Sequence, residues 1–117
     1  MIKSILKYIL IPVLFLSACN SGSPSVKEVT VHVWGNCEKC KATIDKAAKI
    51  EGVTKADWDI NSKLLVLKLD TVITSVDMVL NSVAKSGYDN EKFYADDYAY
   101  GALEQCCQYD RRPFESK

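Results

Sequence analysis

The sequence has no excess of charge and few of the residues that mark unusual chains. Its 15 basic side chains balance 15 acidic ones, and it holds one histidine, three prolines and five glycines in 117 residues. A chain without a basic excess is a poor candidate for binding the phosphate backbone of a nucleic acid, so we expect no nucleic-acid partner. Hydrophobic residues make up 48% and charged residues 26%, which excludes wholesale disorder and a collagen-like repeat.

The sequence also lacks the usual signatures of catalysis. No carboxylate pair, Ser-His-Asp set or phosphate-binding loop is visible, so we do not expect an enzyme. The length allows one small domain with little room for a deep cleft, which favours a binding module. Five cysteines are a high and odd count for so short a chain, and they carry most of the argument that follows.

The N-terminal segment has the pattern of an export signal. Its apolar run, residues 9–16, is too short to span a bilayer, follows two lysines and precedes small residues. The sequence Leu-Ser-Ala-Cys that ends at Cys19 resembles the lipobox of bacterial lipoproteins, in which the cysteine is acylated. The resemblance implies a signal peptide over 1–18 and a lipidated Cys19 with a flexible tether over 19–27. The protein would then be anchored to a membrane of the cell envelope and face the periplasm. Ordinary secretory cleavage beside an unrelated cysteine is the alternative.

The next part of the chain alternates between strand and helix patterns. Apolar residues recur with period two in three segments and with helical spacing in two others. The predicted strands are residues 28–34, 53–60 and 63–69, and the predicted helices are residues 38–50 and 75–86. Thr74 and Asp77 form a plausible capping box for the second helix. Residues 88–93 supply a short last strand. This βαββαβ order predicts a ferredoxin-like α+β sandwich, an antiparallel sheet with two helices on one face.

A C-x-x-C motif, Cys37 to Cys40, lies between the first predicted strand and the first predicted helix. Two thiols three residues apart at a helix start can point at one ion, and the helix N-terminus stabilises thiolates. Thiolates favour soft ions such as Cu(I) and Zn(II) over Mg(II) or Ca(II). Two other interpretations stay open: a resting disulfide without a metal role, and a thioredoxin-type redox pair.

Residues 28–93 resemble the heavy-metal-associated domain family, the ferredoxin-like modules of copper chaperones, copper-pump N-termini and periplasmic mercury-binding proteins. The resemblance rests on the C-x-x-C motif, on the order of strands and helices, and on Ser86-Gly87-Tyr88 near the end of the second helix. It implies that Cys37 and Cys40 ligate the metal and that Tyr88 lies close to the metal loop. The family usually carries Gly-Met where this chain has Trp34-Gly35, and the missing methionine weakens a specific assignment to copper.

The resemblance also implies a cargo and a partner. We expect a soft ion, with Cu(I) first and Hg(II) or Zn(II) as alternatives, exchanged with a donor or acceptor protein such as a metal-transporting ATPase. Trp34, Asn36 and Tyr88 are the side chains expected to surround the metal loop. The same cysteines would instead serve a thiol-disulfide redox protein or a disulfide-stapled adaptor on the membrane, two alternatives that the motif leaves open.

The tail, residues 94–117, contains a second pair of thiols, Cys106 and Cys107. It is too aromatic for a solvated segment, so we predict that it packs on the domain, with a short helix over residues 102–108. It looks like a C-terminal extension seen in some lipoproteins of this family from Bacteroidetes-type bacteria. We hypothesise that one or both tail thiols approach the C-x-x-C pair and raise the number of ligands to three or four. Disulfides that staple the tail to the C-x-x-C motif are the alternative.

Three other features are given structural interpretations. His32, the single histidine, falls on the solvated face of the first strand and is predicted to be a surface residue. Trp58 falls on the core side of the second strand. Arg111-Arg112 is interpreted as a solvated pair that is too short for a nucleic-acid patch.

Overall fold

The computed structural model describes residues 25–114. The predicted signal peptide and Cys19 lie outside these residues. The strands are β1 (Val26–His32), β2 (Val53–Trp58) and β3 (Leu64–Asp70), and the helices are α1 (Glu38–Ala48), α2 (Val76–Lys85) and α3 (Asp97–Gly101), followed by a 3₁₀ helix at Gln105–Cys107. No helix within the described range is long and apolar enough to cross a membrane.

The three strands form one antiparallel sheet in the order β1-β3-β2. Leu65 pairs with Val31 on one side and with Trp58 on the other, so the apolar alternation of all three strands falls on the same face. Leu65, Leu67 and Leu69 on the central strand are almost fully buried. The structure confirms the predicted α+β class, with α1 and α2 packed against each other over this buried face.

The helices begin where the chain leaves extended backbone. Ser75 is the N-cap of α2, and its hydroxyl accepts a hydrogen bond from the amide of Met78 at 3.2 Å. The predicted capping box of Thr74 and Asp77 is therefore wrong by one residue. Thr74 is instead buried, with its hydroxyl directed at the sulfur of Met78. A serine and a threonine side by side are equivalent by residue type, and only the backbone decides which one caps.

The predicted last strand is reduced to a single bridge between Val33 and Asn90 among the described residues. The buried Asn90 side chain explains why the strand stops. Its Oδ1 accepts hydrogen bonds from the amides of Lys92 (3.1 Å) and Phe93 (2.9 Å), which turns the chain away from β1.

The tail packs on the domain, but the predicted helix over residues 102–108 is wrong. It is replaced by α3 and the short 3₁₀ helix. Asp96 fixes the start of α3, because its carboxylate accepts hydrogen bonds from the amides of Tyr98 and Ala99 at 3.0 and 3.2 Å. This cap starts the helix five residues before the segment predicted to be helical, within which only the 3₁₀ helix at Gln105–Cys107 forms.

Arg111 holds the tail to the domain, which corrects its interpretation as part of a solvated pair. Its guanidinium donates two hydrogen bonds, of 2.9 and 2.7 Å, to the fully buried carboxylate of Asp89. The amides of Ala95 and Arg112 donate to the same carboxylate at 2.7 and 3.0 Å. A fork of this kind fixes both distance and orientation, so the chain around residue 111 has a defined place against the domain.

Candidate metal centre

The C-x-x-C motif lies in the loop that joins β1 to α1. Cys37 is the N-cap of α1, in extended backbone, and Cys40 lies in the first turn. The amide of Lys41 donates to the carbonyl of Cys37 at 3.0 Å, which closes that turn. Both thiols therefore sit at the end of α1 where unpaired amides carry partial positive charge.

The approach of this loop to the core depends on Gly35. A Cβ atom on this residue would lie 2.9 Å from the Trp58 ring and 3.2 Å from the end of Ile44. Trp58 is fully buried, as its place on the strand predicts, and its indole donates to the carbonyl of Val33 at 2.9 Å. Gly35 thus lets the loop that carries Cys37 lie directly on the indole, a packing role that the sequence did not reveal.

The structure brings three of the four predicted metal-site thiols together. The Cys37 sulfur lies 3.4 Å from that of Cys40 and 3.6 Å from that of Cys107. All three Sγ atoms fall within 4.8 Å of one another. Cys40 and Cys107 are buried and Cys37 is half-buried. All cysteines in the described range are free thiols.

The surroundings of Cys37 and Cys107 shift the pKa values of the two thiols in opposite directions. Burial acts to raise the pKa of Cys37, but interactions with the backbone of Cys40 and with the thiols of Cys40 and Cys107 outweigh it, and the net pKa lies below the usual value. Burial, followed by hydrogen bonding to neighbouring thiols, raises the pKa of Cys107 to about 12. Before an ion binds, Cys37 is thus better prepared than Cys107 to become a thiolate.

The Cys40 thiol is held by Asn36. It donates to the Asn36 side-chain oxygen at 3.0 Å and accepts from the Asn36 amide at 3.4 Å. Asn36 therefore lies against the Cys40 thiol. Trp34, three residues before Cys37, turns its ring to His32 and stacks on it at 3.7 Å between centroids. His32 does not belong to the thiol cluster.

Tyr88 forms the inner wall of the site. Its ring is fully buried and stacks on Tyr109 with centroids 5.3 Å apart. Its hydroxyl is buried without a hydrogen-bond partner. Burial, together with interactions with the thiols of Cys40 and Cys107, raises the pKa of this hydroxyl above its usual value. The site thus contains a neutral donor that faces two sulfur atoms and has no acceptor in optimal geometry.

Cys106 lies outside the group of three thiols. Its sulfur is exposed, 3.9 Å from the Cys107 sulfur and 3.9 Å from a carboxylate oxygen of Glu104. Glu104 in turn forms a 2.6 Å ion pair with Lys39 of α1. Both side chains are about two-thirds exposed, so this contact orients the edge of the tail but stabilises it little.

Two residues that position the third thiol were not found from sequence. Tyr109 accepts a hydrogen bond from the Asp89 amide at 2.7 Å and donates to the Gly87 carbonyl at 2.8 Å. Gly87 has a φ of 110°, and a Cβ there would lie 3.0 Å from both the Ala99 carbonyl oxygen and the Leu103 side chain. The glycine therefore allows the tail to lie close, two residues before the chain enters the Asp89 anchor. The glycine itself was visible as a helix stop, but its second role depends on a segment more than ten residues away.

Comparisons with solved structures give a consistent set of neighbours. Oxidized MerP from Ralstonia metallidurans CH34 is 34% identical, with a TM-score of 0.53 over 56% of this chain and 94% of that one. The CopZ metallochaperone is 26% identical, with a TM-score of 0.53 over 55% of this chain and 98% of that one. The N-terminal domain of a potential copper-translocating P-type ATPase from Bacillus subtilis, solved in the Cu(I)-loaded state, is 23% identical with a TM-score of 0.51 over 61% of this chain and 96% of that one, a likeness that shows the fold alone.

These neighbours are matched almost completely, yet they account for little more than half of this chain. No family model matches the sequence, and no curated protein does so either.

Proposed function

Because this chain belongs to the heavy-metal-associated domain family, we propose that it binds a soft metal ion with the thiolates of Cys37, Cys40 and Cys107 and passes the ion to a partner protein. The observation that carries the proposal is the convergence of these three sulfur atoms within 4.8 Å. Binding and transfer, not catalysis, is the proposed role.

The distances between the sulfur atoms suit a shared ion. At metal–sulfur bonds of about 2.3 Å, sulfur atoms on one ion lie roughly 4 Å apart. The Cys37–Cys40 and Cys37–Cys107 sulfur separations, 3.4 and 3.6 Å, need only small adjustments to reach that value. Cys107 therefore completes a three-thiolate site, and its contribution comes from the tail, not from the part of the chain that carries the C-x-x-C motif.

The Tyr88 hydroxyl fits a site whose sulfur atoms become negatively charged. A buried donor without a partner is costly in the thiol form. Metal binding converts the neighbouring thiols to thiolates, which accept hydrogen bonds more strongly. The hydroxyl then gains an acceptor on Cys40 or Cys107, so ion binding relieves a defect of the metal-free site.

The neighbours guide the choice of ion and partner. One of them, 26% identical to this chain, is a metallochaperone. In line with the family resemblance of the C-x-x-C motif, we propose Cu(I) as the first candidate cargo, with Hg(II) and Zn(II) as alternatives, and a metal-transporting ATPase as the kind of partner that exchanges it. Soft thiolate ligands accommodate all three ions.

We further propose that the chain is anchored to a membrane through a lipid on Cys19 and faces the periplasm. The motif before this residue supports the proposal. β1 begins at Val26 and leads, over seven residues, toward the thiol cluster. Replacement of Cys19 by Ser should move the protein from the membrane fraction to the soluble fraction and abolish incorporation of a labelled fatty acid. Retention of both would refute the anchor.

The binding test uses the mature chain with Cys19→Ser, reduced under anaerobic conditions. Cu(I), Hg(II) and Zn(II) are added separately, stoichiometry is read by native mass spectrometry, and affinity by competition with a chromogenic chelator. We expect one ion per chain, loss of tight binding in Cys37→Ser/Cys40→Ser, and weaker binding in Cys107→Ser. Binding by the double variant as tight as that of the parent would refute the proposal. Disulfide reductase activity without metal binding would support the redox alternative.

A further inference from the structure

We propose that Cys106 is the exchange thiol through which the ion enters and leaves the three-thiolate site. The inference rests on the proposed function and adds to it a route and a residue. It assigns the two adjacent tail cysteines different tasks: Cys107 holds the ion, and Cys106 passes it between this site and the partner.

The two tail cysteines differ in burial, which is the basis for assigning them different roles. Cys40 and Cys107 are 0% and 5% exposed, so an incoming ligand has little access to the ion from their side, and the third ligand, Cys37, is itself half-buried. Cys106 is exposed on the outer side of the same 3₁₀ helix. A partner thiolate can reach the Cys106 sulfur without displacing the tail, whereas it reaches the Cys107 sulfur only past the residues that cover it.

The separation of 3.9 Å between the Cys106 and Cys107 sulfurs is close to the spacing of two ligands on one ion. An ion held by Cys107 can therefore bond Cys106 without a large movement of the backbone. In this exchange the Cys106 thiol loses its proton to solvent as its sulfur bonds the ion. The bond from the ion to the Cys107 sulfur breaks, and that sulfur takes a proton from solvent. The oxidation state of the ion does not change.

The Lys39–Glu104 ion pair lies beside Cys106. The Glu104 carboxylate is 2.6 Å from the Lys39 ammonium group and 3.9 Å from the Cys106 sulfur. Lys39 therefore compensates part of the repulsion between this carboxylate and a thiolate on Cys106. Both side chains are about two-thirds exposed, so the pair can separate and re-form as a partner approaches.

A groove between α1 and the tail also borders Cys107, which is only 5% exposed. It is lined by Lys39, Ala42, Thr43, Tyr88, Ala102, Leu103, Glu104 and Cys107, with no second cysteine. An ion that left by this groove would find no further thiol of this chain on its way. On the Cys106 side the ion can bond the Cys106 sulfur before it leaves Cys107, so it keeps soft ligands throughout the exchange.

The test compares exchange rates with affinity in the mature chain carrying Cys19→Ser, loaded with one Cu(I). Transfer to bicinchoninate is followed by stopped-flow absorbance at several chelator concentrations. We expect Cys106→Ser to lower the second-order transfer rate roughly tenfold, equivalent to about 1.4 kcal/mol of barrier. The equilibrium affinity should change much less. Gln105→Ser, on the same exposed 3₁₀ helix, is the matched control and should transfer at the parent rate.

The outcomes separate this inference from the proposed function. A parent rate in Cys106→Ser, with tight binding intact, would overturn the exchange role and leave the three-thiolate site standing. An equal loss of affinity in Cys106→Ser and Cys107→Ser would also overturn it, because Cys106 would then be a permanent ligand. Failure of the parent chain to bind Cu(I), Hg(II) or Zn(II) would overturn both. Slow transfer with retained affinity in Cys106→Ala as well as in Cys106→Ser would support the exchange role against an effect of the serine hydroxyl.

Discussion

The Cys107 thiol lies 3.6 Å from the Cys37 thiol although the two residues are 70 positions apart in sequence. Neither thiol holds the other in place, since a contact between two sulfhydryl groups is weak. The position of Cys107 is set by the Arg111 fork on Asp89 and by the Tyr109 hydroxyl, which lie on the side of Cys107 toward the C-terminus. The candidate site is therefore only as well ordered as the anchors of the tail.

Replacement of Asp89 by Asn should destabilise the protein. The change leaves Arg111 without its buried partner, and the expected loss is about 3 kcal/mol, at the low end for a broken buried pair because Arg111 is partly exposed. Urea unfolding of the metal-free chain measures it. Asp97→Asn is the matched control, since Asp97 contacts the same guanidinium but its side chain is 97% exposed. Equal effects of the two variants would contradict a dominant role for the buried fork.

The same anchor predicts acid sensitivity. Burial acts to raise the pKa of Asp89, but hydrogen bonds from Arg111 and from the amides of Ala95 and Arg112 outweigh it, and the folded-state pKa lies below the usual value. This carboxylate therefore contributes stability that is complete above the unfolded-state pKa, near 3.9, and is lost as the pH falls through the folded-state pKa. Unfolding free energies measured from pH 6 down to pH 2 (roughly the carboxylate range) should fall less steeply in Asp89→Asn than in the parent.

Replacement of Gly87 by Ala should loosen the tail. The residue has a φ of 110°, and the added Cβ would meet Ala99 and Leu103 at 3.0 Å. We expect a loss of roughly 1–3 kcal/mol and faster proteolysis after residue 93. Gly101→Ala is the control, because no atom lies within 4 Å of a Cβ at that position in α3. The control should be neutral or slightly stabilised, and a similar loss in both variants would show that contact with the tail is not the cause.

The stacked pair Tyr88 and Tyr109 should respond in opposite ways to loss of the hydroxyl. Tyr88→Phe removes a buried group without a partner, so the metal-free protein should be unchanged or more stable by about 1 kcal/mol. Tyr109→Phe leaves the Gly87 carbonyl and the Asp89 amide unpaired and should cost about 1–3 kcal/mol. Thermal or urea unfolding distinguishes the two. A large loss in Tyr88→Phe would mean that its hydroxyl has a partner in the metal-free state.

The effect of Tyr88→Phe on Cu(I) binding should be opposite to its effect on the stability of the metal-free protein. Once Cys40 and Cys107 are thiolates, the hydroxyl gains acceptors, so Tyr88→Phe should bind Cu(I) about threefold to tenfold more weakly than the parent, the effect of one net hydrogen bond of about 1 kcal/mol. Competition with a chromogenic chelator measures the change. Equal Cu(I) affinity of Tyr88→Phe and the parent would show that the Tyr88 hydroxyl does not stabilise the bound ion.

The sequence was sufficient for the parts of the fold that depend on local pattern. The alternation of Leu65, Leu67 and Leu69 predicted the central strand, and the helical stripe of Cys40 and Ile44 predicted α1. Each of these patterns reports burial through neighbours within a few residues, so a linear inspection can detect it. The heavy-metal-associated resemblance likewise depends on a short motif.

The predictions that were wrong depend on contacts that leave no periodic pattern in the sequence. Arg111 looked solvated because its partner, Asp89, is 22 positions away and has no periodic signal. The predicted last strand is not formed because the Asn90 side chain accepts hydrogen bonds from the amides of Lys92 and Phe93, an effect that a periodic pattern does not reveal. For the tail thiols, sequence could propose that one or both approach the C-x-x-C motif, but only the fold separates buried Cys107 from exposed Cys106.

In the proposed three-thiolate site, anchoring of Cys107 turns the recruitment of a third ligand into an intramolecular event. A two-thiolate site must capture any further ligand from its surroundings, and its occupancy then varies with the supply of small thiols. A ligand tethered in the same chain acts at an effective concentration of millimolar or more (roughly, for a well-placed tether), whatever the redox buffer outside contains. Since the tether is itself fixed 3.6 Å from its target, the coordination number of the ion becomes a property of the protein and not of the compartment.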